Sequence, residues 1–115
     1  MTPDAVDRVL LAVAMIPPGR VASYGDIGAL VGVGPRRVGS IMARQGDGVP
    51  WWRVLGASGV SPVLDAALPH WRREGIAVRR DGRGCRMADY RADPHQLAAD
   101  YAFAAAERGR PQPTG

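Results

Sequence analysis

The sequence predicts a small domain that is mostly α-helical with small β-hairpins, arranged as a winged helix-turn-helix. Three observations predict this class. Segments with the helical spacing of apolar residues fill the first part of the chain. A short glycine turn separates the second of these segments from the third. The chain has 115 residues, of which 46% are hydrophobic, and this is the size and composition of one folded domain.

The first two helices have recognisable ends. Apolar residues recur at helical spacing over residues 4–16, with an aspartate near the start, and the Pro-Pro-Gly sequence at 17–19 ends this helix. Ser23 and Asp26 have the spacing of a capping box, in which each side chain accepts a hydrogen bond from the other residue's backbone N–H. A second short helix is therefore predicted to begin there and to run through Val31.

The third predicted helix carries arginine at its beginning. Pro35 suits the first helical position, where a missing N–H costs no hydrogen bond, and the helix is predicted to run to about Arg44. Its apolar face holds Val38, Ile41 and Met42, and its polar face holds Arg36, Arg37 and Ser40. This pattern is typical of a helix-turn-helix DNA-binding domain, although any helical hairpin with a solvated basic face has the same spacing.

The segments after the helix pair predict the β-hairpins and a final helix. Residues 51–61 are predicted to form a strand, a glycine turn and a returning arm, after a glycine-rich loop. A short helix is expected at 69–75, a second hairpin over 76–87, and a last helix from residue 93 or 94 through Glu107. The expected domain spans 1–108, and the polar, proline-bearing residues 109–115 are expected to form a disordered tail.

The charge favours an anionic partner. A net charge of +4 and a pI near 10.2 on so small a domain point to nucleic acid as the commonest such partner. All fifteen basic residues are arginine, whose planar guanidinium binds phosphate through paired hydrogen bonds and stacks on bases. A genome that favours arginine codons would explain the absence of lysine equally well.

Several classes of protein are disfavoured. The single cysteine, Cys85, cannot form an internal disulfide, and the distant His70 and His95 give no metal-ligand spacing, so no metal or other cofactor is expected. The apolar run at 9–18 is too short to span a bilayer and follows acidic residues rather than the basic ones of a signal peptide. A cytoplasmic protein is the default expectation.

Four short motifs in a fixed order resemble the DNA-binding domain of O6-alkylguanine-DNA alkyltransferases. They are IPPGRV at 16–21, SYGDI at 23–27, RRVG at 36–39 and PWWRV at 50–54. The later EGI and DY sequences also fit the C-terminal portion of that family, so the similarity covers about residues 5–94. The resemblance implies a winged helix that binds the minor groove and flips a nucleotide out of the duplex.

The motif that begins at Pro50 departs from the family. The repair enzymes have Pro-Cys-His-Arg-Val there, and their cysteine accepts the alkyl group; here Trp51 stands at the cysteine position and Trp52 at the histidine position. Tryptophan has neither a thiolate nor a proton-accepting nitrogen. The pattern resembles the alkyltransferase-like proteins, which bind alkylated guanine without repairing it and direct it to nucleotide excision repair. Most of those keep the histidine, so Trp52 departs from them too.

The resemblance implies roles for residues on the predicted second and third helices. Arg36 matches the arginine finger that fills the space of the flipped nucleotide, although a surface arginine that binds phosphate is the simpler alternative. Arg37 is expected to contact phosphate. Tyr24 matches the tyrosine that helps to rotate the phosphate beside the flipped nucleotide, and Ser23 is expected to cap its helix and to contact phosphate.

The resemblance also implies a lesion pocket. Trp51 is expected to stack on the flipped base, with core filling as the alternative, whereas Trp52 is expected to lie mostly in the core. Arg53 is expected either to anchor its loop or to touch DNA. Val54 and Ser58 are expected at the pocket wall.

Two further residues are compared with the catalytic positions of the repair enzymes. Glu74 matches a glutamate that relays through histidine to the cysteine in the enzymes, and with both partners replaced it is expected to be structural. Cys85 does not match the acceptor cysteine and is expected to be a bystander.

Three functions follow from these patterns. The first is recognition of O6-alkylguanine in double-stranded DNA by a monomer without enzymatic activity. The second is a winged-helix transcription regulator that reads normal sequence as a dimer, with the last helix as the dimer face. The third is residual alkyl transfer to Cys85. The PWWRV motif in the acceptor position favours the first.

Overall fold

A computed structural model describes residues 4–108 and confirms the mostly helical architecture. The helices are α1 (Ala5–Ala14), α2 (Tyr24–Val31), α3 (Pro35–Gln45), α4 (Leu64–Glu74), α5 (Met87–Tyr90) and α6 (Pro94–Arg108). The strands are β1 (Ala22–Ser23) and β2 (Val54–Leu55), and short 3-10 turns span Gly46–Gly48 and Trp51–Arg53. The predicted tail at 109–115 lies outside the described residues. Within 4–108, no helix is long and apolar enough to cross a membrane.

The helix ends are formed by the local signals that the sequence carries. The Asp4 side chain accepts a hydrogen bond of 2.8 Å from the backbone of Asp7 and so caps α1. Both hydrogen bonds of the capping box are present, from the Asp26 N–H to Ser23 Oγ at 2.9 Å and from the Ser23 N–H to Asp26 Oδ2 at 3.1 Å. Gly32 ends α2 in the left-handed conformation, with φ of 75°.

The turn between α2 and α3 packs tightly against Gly28. The carbonyl of Gly28 accepts hydrogen bonds from the N–H groups of Gly32 at 2.8 Å and Val33 at 3.0 Å, so the chain folds back over this residue. A Cβ atom on Gly28 would overlap the backbone carbonyl of Val33. The angle between the two helices of the helix-turn-helix therefore depends on a position without a side chain.

The two short strands stand between two apolar cores. Ala22 pairs with Val54 and Ser23 with Leu55 in a parallel ladder. Val54 packs into a core formed mainly by α1, α2 and α3, whereas Leu55 packs into a second core around the fully buried Trp71 of α4. Because neighbouring residues of a strand point to opposite sides, four residues are enough to join the two cores.

The C-terminal segment is held to β1 by backbone hydrogen bonds. The N–H of Val21 donates to the Tyr90 carbonyl at 2.9 Å, and the N–H of Ala92 donates to the Val21 carbonyl at 2.8 Å. The α6 helix follows, with Leu97 buried against the first core and Tyr101 partly buried beside it. This side of α6 therefore packs against the first core.

The β elements differ from the prediction in their pairing. Residues 51–53 form a 3-10 turn instead of a strand, and β2 pairs with β1, a segment distant in the sequence. The turn at 56–59 is present, but Val60 then bridges Gly84. The segment after the first predicted turn therefore pairs with the segment after the second predicted turn, through the bridge between Val60 and Gly84.

The α4 helix begins at Leu64, five residues before the predicted start. Pro69 lies inside it, although proline was interpreted as its first residue. A proline in a helix lacks one N–H and so removes one hydrogen bond to the preceding turn. Burial of Ala67 and Trp71 on one face of α4 compensates for that loss.

A largely buried ion pair connects the end of α4 to the 3-10 turn before β2 and to the segment between α1 and β1. Arg53 donates to both carboxylate oxygens of Glu74, at 2.9 and 2.6 Å, and to the carbonyl of Ile16 at 2.8 Å. The N–H of Gly19 and Nε1 of Trp52 donate to the same carboxylate at 3.0 and 2.9 Å. Only 12% of each charged side chain is exposed. Glu74 is thus the structural anchor that the sequence suggested.

Burial and hydrogen bonding act in opposite directions on this carboxyl group. Burial raises the pKa of Glu74, but the hydrogen bonds from Arg53, Gly19 and Trp52 and the charge of Arg53 outweigh burial and lower the pKa to about 2. The folded state therefore holds the ionised form.

We predict that Gly28→Ala destabilises the fold by about 2 kcal/mol, because the added methyl group has no space beside the Val33 carbonyl. Gly25→Ala in the same helix is the matched control. Its Cβ would meet Ser23 Oγ at 3.6 Å, an ordinary contact, and alanine is the better helix former. Thermal unfolding followed by circular dichroism measures both. An equal loss in the two variants would contradict a special role for Gly28.

We also predict that Glu74→Gln lowers the free energy of unfolding at neutral pH by about 3 kcal/mol, because Arg53 loses its charged partner. The folded pKa of Glu74 is lowered from 4.5, so its contribution is full above that value and is lost as the pH falls toward about 2. The stability curves of the wild type and the variant should converge over that range. Denaturant unfolding at several pH values measures this.

Asp65→Asn is the control for that experiment, since Asp65 is exposed at the start of α4 and has no ion pair within residues 4–108. Its curve should stay parallel to that of the wild type. A Glu74→Gln curve that also stays parallel would show that this carboxylate does not stabilise the fold.

Candidate nucleic-acid interface and lesion pocket

A cavity of about 550 Å³ opens between the helix-turn-helix and the segment before α4. Its lining comes from α2, α3, the 3-10 turns, β2 and the start of α4: Tyr24, Gly39, Met42, Ala43, Asp47, Trp51, Val54, Pro62, Val63 and Ala66. Most of these side chains are apolar. The volume is in the range of pockets that enclose a small molecule or a single base.

Three of the expected site residues meet in this cavity. Tyr24 begins α2, Trp51 begins the second 3-10 turn and Val54 begins β2, and all three line the cavity. Tyr24 is partly buried, and burial raises the pKa of its hydroxyl group, which stays a neutral hydrogen-bond donor. Tyr24 is distant in the chain from the other two residues, and the pairing of β1 with β2 brings it beside them.

Trp51 is held at the cavity by aromatic contacts. Its ring meets the rings of Trp52 and His70 edge to face, with centroids 5.6 and 5.4 Å apart. Gly46 lies between this side chain and α3, since a Cβ atom there would be 3.0 Å from Met42 Cε and 3.6 Å from Trp51 Cβ. Trp51 is only partly buried, so its ring still borders the cavity.

Trp52, Arg53 and Ser58, which were predicted to belong to the lesion pocket, do not line this cavity. Trp52 turns away and stacks on His70, with centroids 3.8 Å apart and planes 9° apart, while its Nε1 donates to Glu74. Arg53 anchors its loop to Glu74, so the alternative of loop anchoring is the one the structure supports. Ser58 is exposed, and its carbonyl accepts a hydrogen bond from Arg79.

Arg36 and Arg37 project from the first turn of α3 and are exposed. Within residues 4–108, neither guanidinium has a hydrogen-bond or ion-pair partner. The N-terminus of a helix and unpaired guanidinium groups both favour an anion. Ser23 is buried, and its hydroxyl oxygen is the cap of α2, which confirms the capping function.

Cys85 is unsuited to accept an alkyl group. The residue is fully buried in the second core, and burial raises the pKa of its thiol above the ordinary value. Its backbone N–H pairs with the Gly59 carbonyl at 3.0 Å. A buried, protonated thiol is a poor nucleophile, which argues against residual alkyl transfer to Cys85. Within residues 4–108, no group of three His, Cys, Asp or Glu side chains is placed to hold a metal ion.

The sequence did not indicate most of the α3 and loop residues in the lining. Gly39, Met42 and Ala43 have the spacing of one helix face, and that pattern was a usable signal. Asp47, Pro62 and Val63 lie in loops, whose positions depend on long-range pairing. His70 was considered only as a metal ligand, and its stacking on Trp52 has no sequence pattern.

Comparison with solved structures supports the fold. The chain superimposes on S. pombe Atl1 in complex with damaged DNA containing O6-carboxymethylguanine with a TM-score of 0.71 and 27% identity. A second structure, S. pombe ATL in complex with DNA, gives a TM-score of 0.66 and 29% identity. Each match covers 82% of this chain and 100% of the other.

The curated relatives that match this chain are named DNA base-flipping proteins. A DNA base-flipping protein of Escherichia coli K12 is 34% identical over 84 residues, which cover 66% of this chain. One from Vibrio parahaemolyticus is 29% identical over 84 residues and is covered over 84% of its length. The chain spans 65% of the length of the E. coli relative.

The family described as 6-O-methylguanine DNA methyltransferase, DNA binding domain, matches residues 4–75. This range contains α1, α2, α3, both strands and α4, and so most of the cavity lining. The chain belongs to the family of the DNA-binding domain of 6-O-methylguanine DNA methyltransferase.

Proposed function

We propose that this protein binds double-stranded DNA and holds a flipped O6-alkylguanine nucleotide in the cavity beside Trp51, without transferring the alkyl group. The observation that carries the proposal is the position of the cavity. It is bounded on one side by α3, the second helix of the helix-turn-helix, and on the other by the aromatic ring of Trp51. A base that leaves a duplex bound to α3 would therefore enter it directly.

The comparisons support the same function. The E. coli and V. parahaemolyticus relatives are named DNA base-flipping proteins, and S. pombe Atl1 has been solved with DNA that contains O6-carboxymethylguanine. The similarity to Atl1 extends over the whole of that chain. A transcription regulator that reads intact base pairs has no need of a cavity of this size next to its recognition helix.

The geometry of α3 supports different roles for its arginines. Successive helical residues are about 100° apart, so Arg36 projects within about 20° of Ala43 and about 60° of Gly39, which both line the cavity. Arg37 and Arg44 project together, roughly a quarter turn further round. Arg36 is thus placed to enter the base stack beside the cavity and replace the flipped nucleotide. Arg37 is placed to contact a phosphate group.

Tyr24 and Trp51 supply the contacts inside the cavity. The hydroxyl group of Tyr24 donates a hydrogen bond to a phosphate at the rim, while the Trp51 ring offers a face for stacking on the base, worth roughly 1–3 kcal/mol. Val54 completes the wall between them. Ser23 supports Tyr24 by fixing the start of α2.

Alkyl transfer requires a nucleophile that this site does not offer. Trp51 occupies the position at which the resemblance places the acceptor cysteine. An indole ring lacks the thiolate that accepts the alkyl group. Cys85 lies in the other core, with its thiol buried. We therefore propose recognition without repair chemistry, by a monomer in the cytoplasm that hands the lesion to nucleotide excision repair proteins.

The first test compares duplexes that differ only in one base. We expect tighter binding to O6-methylguanine than to guanine at the same salt concentration, because the modified base pair opens more readily and the methyl group reaches apolar walls. Fluorescence anisotropy measures the affinities, and intact-protein mass spectrometry should show no added methyl group. Equal affinity for the two duplexes would refute lesion recognition. A stable mass gain would refute the absence of transfer.

A second test separates the arginines of α3. Arg36→Ala should reduce the preference for O6-methylguanine over guanine by roughly tenfold, since the space of the flipped nucleotide is left unfilled. Arg37→Ala and Arg44→Ala are matched controls that remove the same charge roughly a quarter turn further round the helix. They should weaken binding to both duplexes alike, with the preference retained. The same loss of preference in all three variants would contradict a finger role for Arg36.

A further inference from the structure

The lining of the cavity includes a carboxylate. Asp47 lies in the 3-10 turn Gly46–Gly48 and is the one acidic side chain among the described residues that line the cavity. Within residues 4–108 it has no hydrogen-bond or ion-pair partner. An unpaired negative charge at a pocket for an uncharged base has no evident role in stabilising the fold.

The turn that carries Asp47 is fixed in place. Gly46 is buried between Met42 and Trp51, and its carbonyl accepts a hydrogen bond from the Val49 N–H at 3.2 Å. The N–H of Trp51 in turn donates to the Val49 carbonyl at 2.7 Å. The backbone of Asp47 is therefore held in a fixed relation to that of Trp51, and the exposed Asp47 side chain lines the same cavity.

A carboxylate that lines a cavity distinguishes ligands by their charge. Two like charges a few ångströms apart repel, and the repulsion grows when a bound duplex displaces water from the mouth of the cavity. A neutral substituent on the base is not repelled, and one with N–H groups can donate a hydrogen bond to the carboxylate. No arginine is among the described residues that line the cavity with Asp47.

We propose that Asp47 is a specificity-determining residue that disfavours O6 substituents with a negative charge and favours neutral or hydrogen-bond-donating ones. The inference rests on the proposed function, because it assumes that the O6 substituent enters this cavity. It also sets this protein apart from a structural relative, since S. pombe Atl1 has been solved with the anionic O6-carboxymethylguanine.

The experiment uses two adducts of matched size. O6-carboxymethylguanine carries a carboxylate, and O6-carbamoylmethylguanine carries a neutral amide with the same number of heavy atoms. Affinities for duplexes with either adduct, and for the unmodified duplex, are measured at one salt concentration. We expect the wild type to bind the anionic adduct roughly five- to tenfold more weakly than the neutral one. Asp47→Asn should bring the two affinities together.

Asp65→Asn is the control variant, since it makes the same change of charge next to Ala66 but outside the lining. It should retain the difference between the adducts. Because each result is a ratio measured within one variant, a change in the folded fraction affects both affinities equally.

The outcomes separate the two proposals. If neither adduct binds better than guanine, lesion recognition itself fails. If both adducts bind better than guanine but the wild type does not distinguish them, the role of Asp47 is refuted while lesion recognition stands. A difference that persists in Asp47→Asn, or that disappears equally in Asp65→Asn, also refutes it.

Discussion

The ion pair between Arg53 and Glu74 holds the parts of the site together. Glu74 ends α4, and its carboxylate collects donors from Arg53, from Trp52 and from the backbone after α1. Arg53 completes the connection through the carbonyl of Ile16. A very short sheet joins the two cores, and this buried pair fixes the 3-10 turn that presents Trp51. Burial of this ion pair costs desolvation energy. That cost is offset because both carboxylate oxygens of Glu74 accept hydrogen bonds.

The two neighbouring tryptophans have different roles at that turn. Trp52 faces inward, where it stacks on His70 and donates to Glu74, and so it has become part of the framework. Trp51 lines the cavity and is only partly buried. Replacement of the two chemically active residues implied by the resemblance has therefore had different results. One position now supports the turn, and the other offers an apolar wall to a ligand.

Local signals made much of the fold predictable, and long-range pairing accounts for the rest. The capping box of Ser23 and Asp26 was readable because both partners lie within one turn of helix. The 3-10 turn at Trp51 was not, since β2 finds its partner about thirty residues earlier in the chain. For the site, the order of the motifs was enough to predict Tyr24, Trp51 and Val54. Asp47 was missed because its loop has no pattern of its own.

The walls of the cavity come from segments that only the folded chain brings together. Tyr24 and α3 belong to the first core, whereas Trp51 packs against the second. A ligand bound there touches both and is absent from the unfolded chain, so its binding free energy adds to the stability of the fold by mass action. In the proposed function, damaged DNA would therefore act as a third connection between the two cores, beside the short sheet and the buried ion pair. Occupancy of the cavity should make the two halves unfold as one unit.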